Sequence, residues 1–470
     1  MGSTFSGLEI GKKGLWAQKK SLEVTSHNIA NANNDSYSRQ EAIQTATNPL
    51  SVSGAGQMGT GVEVSEVRRV RSDFVDEQVR KEKRTKGYWE VKEESLKEME
   101  LIFNEPSDQG VQQTMSDFWN AMEDLNNKPE SKAVRATVRQ RALAVTDTFN
   151  HIDEQLNDYK LSVDSRVQTT VQDINSHAKR IADLNKQIVR VESDNQDAND
   201  LRDKRTQLVG KLSELTNIQV SENEVGSMRI SISGRGLVQG ENVTELEVKS
   251  NPSNDDLYKV QWSDGNDVTL KDGKLEGLLE VRDKDISKYR SQLDEMAKTL
   301  IDEVNAQHQQ GYGLTDNVQR DFFTGSDAGS IDLIDELKED AGIQKIAAAS
   351  QWADSNGDGT NDYAGDGSNA SALSGLRNAG TMNSGTTTFS DYYASNIAQL
   401  GVESQRAQRM IDNQDTLITS LEQKQESISG VSLDEEMNNM IKYQHAYNAA
   451  AKVVSTMDEI LGTVINGLKR

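Results

Sequence analysis

The sequence predicts a mainly α chain with a small β insertion, elongated and multidomain, arranged as a long antiparallel helical bundle with paired terminal helices. Three observations predict it. Only 34% of the 470 residues are hydrophobic and 5% aromatic, against 27% charged, a balance that suits long two-faced helices better than a thick globular core. Between Pro129 and Gly210 there is neither glycine nor proline, and apolar residues keep a helical period there. After Leu215 that period gives way to the alternation of strands.

At the start of the chain, Leu8, Leu15, Leu22 and Ile29 recur every seven residues, which keeps one apolar row on one side of a helix packed against another helix. The matching row lies at the far end: Leu433, Met437, Met440, Gln444, Tyr447, Ala451, Val454, Asp458, Leu461, Ile465 and Leu468 alternate steps of four and three. Ser432 with Glu435 is a capping-box pattern, and Gly430 just before it stops the preceding helix. Rows at both extremes predict that the two ends pair. Shorter helices are expected over residues 73–103 and 111–126. From Val134 through Val145, Leu156, Val167 and Ile181 to Val191 the pattern predicts one helix of roughly 60 residues and on the order of 90 Å, a rod. A second rod over 390–427 would lie antiparallel beside it.

Met228, Ile230 and Ile232 alternate with polar residues, and 243–248, 257–262 and 268–270 follow between turn residues, predicting four to six strands. Helical pattern resumes over 276–309, and the span 311–388, rich in Gly, Asn, Asp, Ser and Thr, reads as loops with short elements. The expected domains are residues 1–45 with 431–470 as a terminal coiled-coil unit, disordered in the free monomer, and 46–217 with 276–311 and 389–430 as a helical shaft. A β subdomain over 218–275 and a loop-rich small outer domain over 312–388 complete them.

Chemistry is hard to find in this chain. A net charge of −23 repels phosphate backbones and anionic headgroups, so neither nucleic acid nor membrane is an expected partner. Zero cysteines remove disulfides and thiolate sites. The first 17 residues include Glu9 and lack a continuous apolar run, so no cleaved signal peptide is expected. Gly54 to Gly59 spells G-x-G-x-x-G, but an alternating strand follows where a nucleotide site needs a helix. Asp354, Asn356, Asp358 and Gly359 resemble the opening of a calcium loop whose closing position is Gly365 rather than Glu, so a solvated acidic loop is expected. His27, His151, His177, His308 and His445 are scattered singly. The basic clusters Arg68, Arg69, Arg71 and Arg80 to Lys86 are interrupted by Asp76, Glu77 and Glu82, which predicts a salt-bridged solvent face. No catalytic residue, cofactor or metal ligand is assigned.

Ser26-His27-Asn28-Ile29-Ala30-Asn31-Ala32-Asn33-Asn34-Asp35-Ser36-Tyr37-Ser38-Arg39-Gln40 resembles the N-terminal signature of bacterial flagellar rod, hook and hook-associated proteins. Asn34-Asp35-Ser36 stands where that signature has Thr-Pro-Gly. Gly59-Thr60-Gly61-Val62 with Asp73 and Phe74 resembles the strand and helix that come next in this family. The stretches 277–283 and 305–311, Gly365 to Ala370, 431–436 and 443–450 resemble its hook-associated members at the hook–filament junction.

The resemblance implies an exported structural protein, delivered to the extracellular flagellum by the type III pathway without a cleaved signal, that forms a ring adapting hook to filament. Its partners would be hook protein, the second hook–filament junction protein, copies of itself, and an export chaperone with the type III apparatus. The expected assembly interface is Leu8, Leu15, Leu22, Asn28, Ile29, Asn31, Asn33, Leu433, Met437, Met440 and Tyr447. The expected chaperone site is Val454, Met457, Leu461, Val464 and Ile465. A hook or distal rod protein would fit the same signature, while a calcium-dependent adhesin or a coiled-coil scaffold would share only the composition.

Overall fold

The computed structural model describes residues 5–52, 56–104, 110–194 and 196–467; Leu468 and Gly54 lie outside the described residues. Helix α1 (Ser6–Ala30) leads into a ribbon in which β1 (Gln40–Ala46) pairs antiparallel with β4 (Val62–Arg69), its far end carrying the hairpin β2 (Leu50–Val52) and β3 (Gly56–Met58). A register shift opposite Ile43 and Gln44 makes Ser65 the extra residue, so Val62, Val64 and Val67 share one face despite their uneven spacing. The ribbon packs against α1, so the domain boundary expected at residue 45 falls inside β1, and residues 40–69 go with the terminal helix.

The shaft begins with α2 (Asp73–Phe103), α3 (Val111–Asn127), α4 (Lys132–Ser193) and α5 (Asn199–Leu215). The rod is α4, 62 residues long; Ser131 caps it by accepting the Val134 N–H, and Val138, Val145, Phe149, Leu156, Val163, Val167, Ile174 and Ile181 are buried along it. At about 1.5–3 kcal/mol for each fully buried aliphatic side chain, this row outweighs helix propensity as the reason the rod holds.

The β subdomain is a four-stranded sheet, β5 (Ile218–Glu222), β6 (Met228–Ile232), β7 (Arg235–Gln239) and β8 (Asn242–Val243), followed by the hairpin β9 (Leu246–Ser250) and β10 (Tyr258–Trp262). Residues 268–270, expected as a strand, are irregular apart from the nearby bridge Gln261–Asp267. α6 (Lys274–Glu280) and α7 (Ile286–His308) are joined without a break by a π-helical turn, Val281–Asp285. Buried Arg282 in that turn donates to Asp164 on α4 and to the Tyr258 carbonyl, tying the β subdomain to the rod.

The loop-rich span holds β11 (Phe323–Thr324), β12 (Asp332–Leu333), α8 (Asp335–Lys338) and α9 (Ser368–Gly375). It is not an outer domain. Phe322 and Phe323 pack on Phe118 of α3, and their cluster is continuous with the core of the rod. Fully buried Arg135 of α4 donates to the carbonyls of Pro129, Ile343 and Ile346, with burial lowering its pKa to about 10. His308, also fully buried, is fixed by two backbone groups: Nδ1–H donates to the Arg320 carbonyl and Nε2 accepts the Ala347 N–H.

α10 (Phe389–Ser429) is the second rod, but it lies along α2 rather than along α4. Lys83 pairs with Glu422 and Lys86 with Asp415 across that contact, while Arg84 pairs with Asp272. The basic run of α2 is thus neutralised by neighbouring elements, not only by its own acids. α11 (Leu433–Gly467) ends the chain and packs against α1; the Glu435 N–H reaches Ser432 Oγ at 3.4 Å, as the capping box predicts.

The facing rows of α1 and α11 differ from those expected. On α1 the buried residues are Gly11, Ala17, Ser21, Val24, Thr25 and Asn28, while Leu8, Leu15, Leu22 and Ile29 are half-buried at the flank. On α11 the covered row is Glu436, Met440, Tyr443, Ala450, Val454, Met457 and Leu461; it keeps Met440, Val454 and Leu461 of the expected row and is otherwise turned by about one heptad position, which leaves Gln444 and Asp458 exposed. Small residues explain the choice. A Cβ at Gly7 would come within 2.6 Å of Met457, and one at Gly11 within 2.8 Å of Val454, so glycines let the two axes approach where a leucine row would hold them apart.

Candidate functional site: the joint at the root of the terminal helices

The signature segment folds into a joint where the terminal unit meets the shaft. Asn28, buried near the end of α1, uses its amide as a second peptide: Nδ2 donates to the Gln40 carbonyl at 2.9 Å and Oδ1 accepts the Gln40 N–H at 2.9 Å. Oδ1 also accepts the Tyr37 hydroxyl at 2.7 Å, and His27 Nδ1 lies 3.0 Å from that hydroxyl. Burial, then the carboxylates Asp200, Asp203 and Glu436, push the Tyr37 pKa up, so the phenol stays a donor. Asn31 donates to the His27 carbonyl, and Asn34 Oδ1 accepts both the N–H and the hydroxyl of Ser36, an Asx turn that replaces the missing proline.

From this turn, side chains reach α5. Ser38 gives its N–H to Asp203 Oδ2 at 2.9 Å and its hydroxyl to Oδ1 at 2.7 Å, and Arg69 Nη1 donates to the same Oδ1 at 2.9 Å. Gln40 Nε2 donates to Asp200, the Val67 N–H to Asp197, and Asn199 Nδ2 to the carbonyl of Val67. Arg71 binds Asp76 of α2 with two bonds of 2.8 Å and also donates to Ser38 Oγ. Burial alone would lower the Arg71 pKa, but hydrogen bonding and charge from Asp76 outweigh it and the net shift is upward. On the other strand of the joint, the Arg39 N–H donates to the Ser429 carbonyl and its guanidinium lies 3.6 Å from Glu435.

Of the expected interface residues, Asn28 and Asn31 are parts of the joint and Asn33 is exposed beside it. Met440 is partly covered by the terminal pair, whereas Leu433, Met437 and Tyr447 face outward, Met437 at 57% exposure. Val454, Met457 and Leu461 of the expected chaperone site sit in the row that faces α1, and Val464 and Ile465 lie outside it. The structure thus divides the expected sites into a buried joint, a covered seam and an outward apolar face. Trp16, 65% exposed, lies on another side of α1, beside a groove of about 1000 Å³ between α1, β4 and the approach to α5.

Sequence reasoning missed the α5 side of the joint, Asp197, Asn199, Asp200 and Asp203, and the roles of Arg69 and Arg71. Acidic residues at a helix start are common for electrostatic reasons alone, so the sequence held no signal that singled these out. Asp354 and Asp358 of the calcium-like loop accept N–H groups of their own loop, Asp354 from Asp358 and Gly359, Asp358 from Thr360. Among the described residues no group of three metal-binding side chains converges, and no helix is long and apolar enough to cross a membrane.

Comparison with known proteins gives the same picture along the whole chain. The family described as flagellar hook-associated protein FlgK helical domain matches residues 96–323, and that described as flagellar basal body rod FlgEFG protein C-terminal matches 422–467. Flagellar hook-associated protein 1 of Bacillus subtilis is 34% identical, over 100% of this chain and 99% of that protein. Its counterpart in Salmonella typhimurium is 26% identical, over 96% and 98%. A solved structure, the flagellar hook junction protein FlgK from Burkholderia pseudomallei, shares the fold at a TM-score of 0.67 and 17% identity, covering 75% of this chain and 100% of that one.

Proposed function

This chain belongs to the family of flagellar hook-associated protein 1, and from that premise we propose that it is a structural part of the bacterial flagellum, forming the ring that adapts hook to filament. The observation that carries the reading is the set of apolar side chains that the terminal pair leaves exposed. Leu433, Met437, Ile441, Ile460 and Ile465 of α11 and Trp16 of α1 are exposed on helices that otherwise bury little, a surface that water disfavours and neighbouring subunits would cover. Hook protein on one side, the second junction protein on the other and copies of the chain in the ring are the proposed neighbours. With one narrow seam to α1, α11 orders fully only on assembly, while α1 rests on the ribbon as well.

Before assembly the chain is exported to the extracellular flagellum, and an export chaperone holds α11 through Val454, Met457, Leu461, Val464 and Ile465. Val454 and Met457 touch the glycines of α1 in the paired form, so chaperone and α1 compete for one row. Deleting the gene tests the junction reading. Cells should build hooks without filaments and release flagellin into the medium; filaments of normal number on the deletion strain would overturn it.

A further inference from the structure

We propose that the acidic start of α5 is a clamp that sets the direction of the ribbon and α1 before any neighbour is met, with Asp203 as its central positioning residue. The proposal deepens the junction reading and rests on it for its biological use, though not for its physical content. Asp203 is 5% exposed, a costly placement for a carboxyl group unless its oxygens are saturated. They are: Oδ1 takes the Ser38 hydroxyl and Arg69, with Arg71 3.7 Å away, and Oδ2 takes the Ser38 N–H. Asp200, one turn earlier on the same face, holds Gln40, and Asn199 and Asp197 hold the carbonyl and N–H of Val67.

Two features distinguish a clamp from an incidental cluster. The bonds take backbone groups of the turn and of β4, so they fix the path of the chain and not merely side-chain positions. They also converge from both segments of the ribbon, Ser38 and Gln40 before and at the start of β1, Val67 and Arg69 at the end of β4, onto α5 and the residues leading into it, a helix packed against α4. The other crossing has fewer ties, three residues from Gly430 to Ser432 beside one backbone bond, Arg39 N–H to the Ser429 carbonyl, and the half-exposed Arg39–Glu435 pair. The structure therefore assigns direction to the α1 side: the ribbon is oriented in the free chain, and α11 is added to an axis already set.

The chain has no cysteine, so two introduced ones report without background. Thr45→Cys on the ribbon and Gln187→Cys on α4, both exposed, carry spin labels in the purified full-length protein, and pulsed dipolar spectroscopy reads the distance between them. One narrow distance distribution is expected. Asp203→Ala should broaden it with the thermal midpoint of the shaft kept, and Glu41→Gln, which loses only the exposed pair with Arg68, should leave it narrow. Should Asp203→Ala fail to fold, Gln40→Ala with Asp200→Asn weakens the clamp from its rim and should broaden the distribution less. A broad distribution in the parent protein, or a narrow one in Asp203→Ala, overturns the clamp. Because the measurement is made on the free chain, either result stands apart from the deletion phenotype that decides the junction reading.

Discussion

Helix α4 and helix α11 look alike as patterns, long runs of apolar residues at helical spacing, yet the fold treats them in opposite ways. Of the 62 residues of α4, twenty are buried, Val138, Val145, Leu156 and Val163 completely. Of the described side chains of the 35-residue α11, only Glu436 is buried, and Ile465 stands 56% exposed. The difference lies in what surrounds each helix. α4 meets α3, α5, α6, α7 and the β subdomain on successive turns, whereas α11 packs mainly on α1. An apolar row satisfied inside the chain makes a strut; one left half-satisfied is the part of the molecule whose stability depends on another molecule.

The hardest test of that contrast is the same substitution in both helices. Val163→Pro removes a backbone hydrogen bond and a fully buried side chain in α4, costing about 3 kcal/mol or more, and should lower the thermal midpoint of the purified chain sharply. Gln444→Pro, at an exposed site of α11, should leave that midpoint nearly unchanged while removing the protein from the junction. Equal losses in the two variants would mean that α11 folds cooperatively with the shaft, and the contrast would fail.

A smaller effect probes the shaft through pH. Burial lowers the His308 pKa from 6.5 to about 4, because a proton on Nε2 would displace the Ala347 N–H and charge a fully buried ring. The unfolded chain therefore binds this proton first as pH falls. Stability from this group is complete above about pH 6.5 and is lost progressively down to about pH 4, on the order of 3 kcal/mol at about 1.4 kcal/mol per pH unit. Denaturant melts between pH 7.5 and 4 should show the slope, and His308→Gln, which can keep both bonds, should flatten it. An unchanged slope in that variant would assign the acid sensitivity elsewhere.

Sequence pattern located the shaft because periodicity reports burial wherever a helix has neighbours on one constant side. The absence of glycine and proline between Pro129 and Gly210 predicted α4 to within a few residues. Pattern could not say that α10 would lie on α2, since the ion pairs that favour it, Lys83–Glu422 and Lys86–Asp415, join residues more than 300 apart. It also misplaced the terminal seam by choosing the bulkiest row, when close approach selected the smallest: Gly7, Gly11 and Ser21 on α1. In the joint, Asn28 and Tyr37 were marked by the signature, but their partners on α5 belong to a different stretch of chain and were invisible until the fold brought them together.

The smallest expected effect on the free chain is also the one that most sharpens the comparison. Ile465→Asp replaces an exposed side chain near the end of α11, so no core contact is lost and no charge is buried, and the stability of the monomer should change by less than about 0.5 kcal/mol. The same carboxylate placed in a covered interface would need desolvation without a partner, a cost of several kcal/mol. Calorimetric titration with the export chaperone and immunoblots of isolated hook structures read that second context. A melt indistinguishable from the parent, together with lost chaperone affinity and absence from the junction, would place the function of α11 wholly in its contacts with other molecules. A destabilised melt would show that Ile465 already packs within the free chain, and the outward face would then have to be sought on Leu433, Met437 and Ile441 at the other end of the helix.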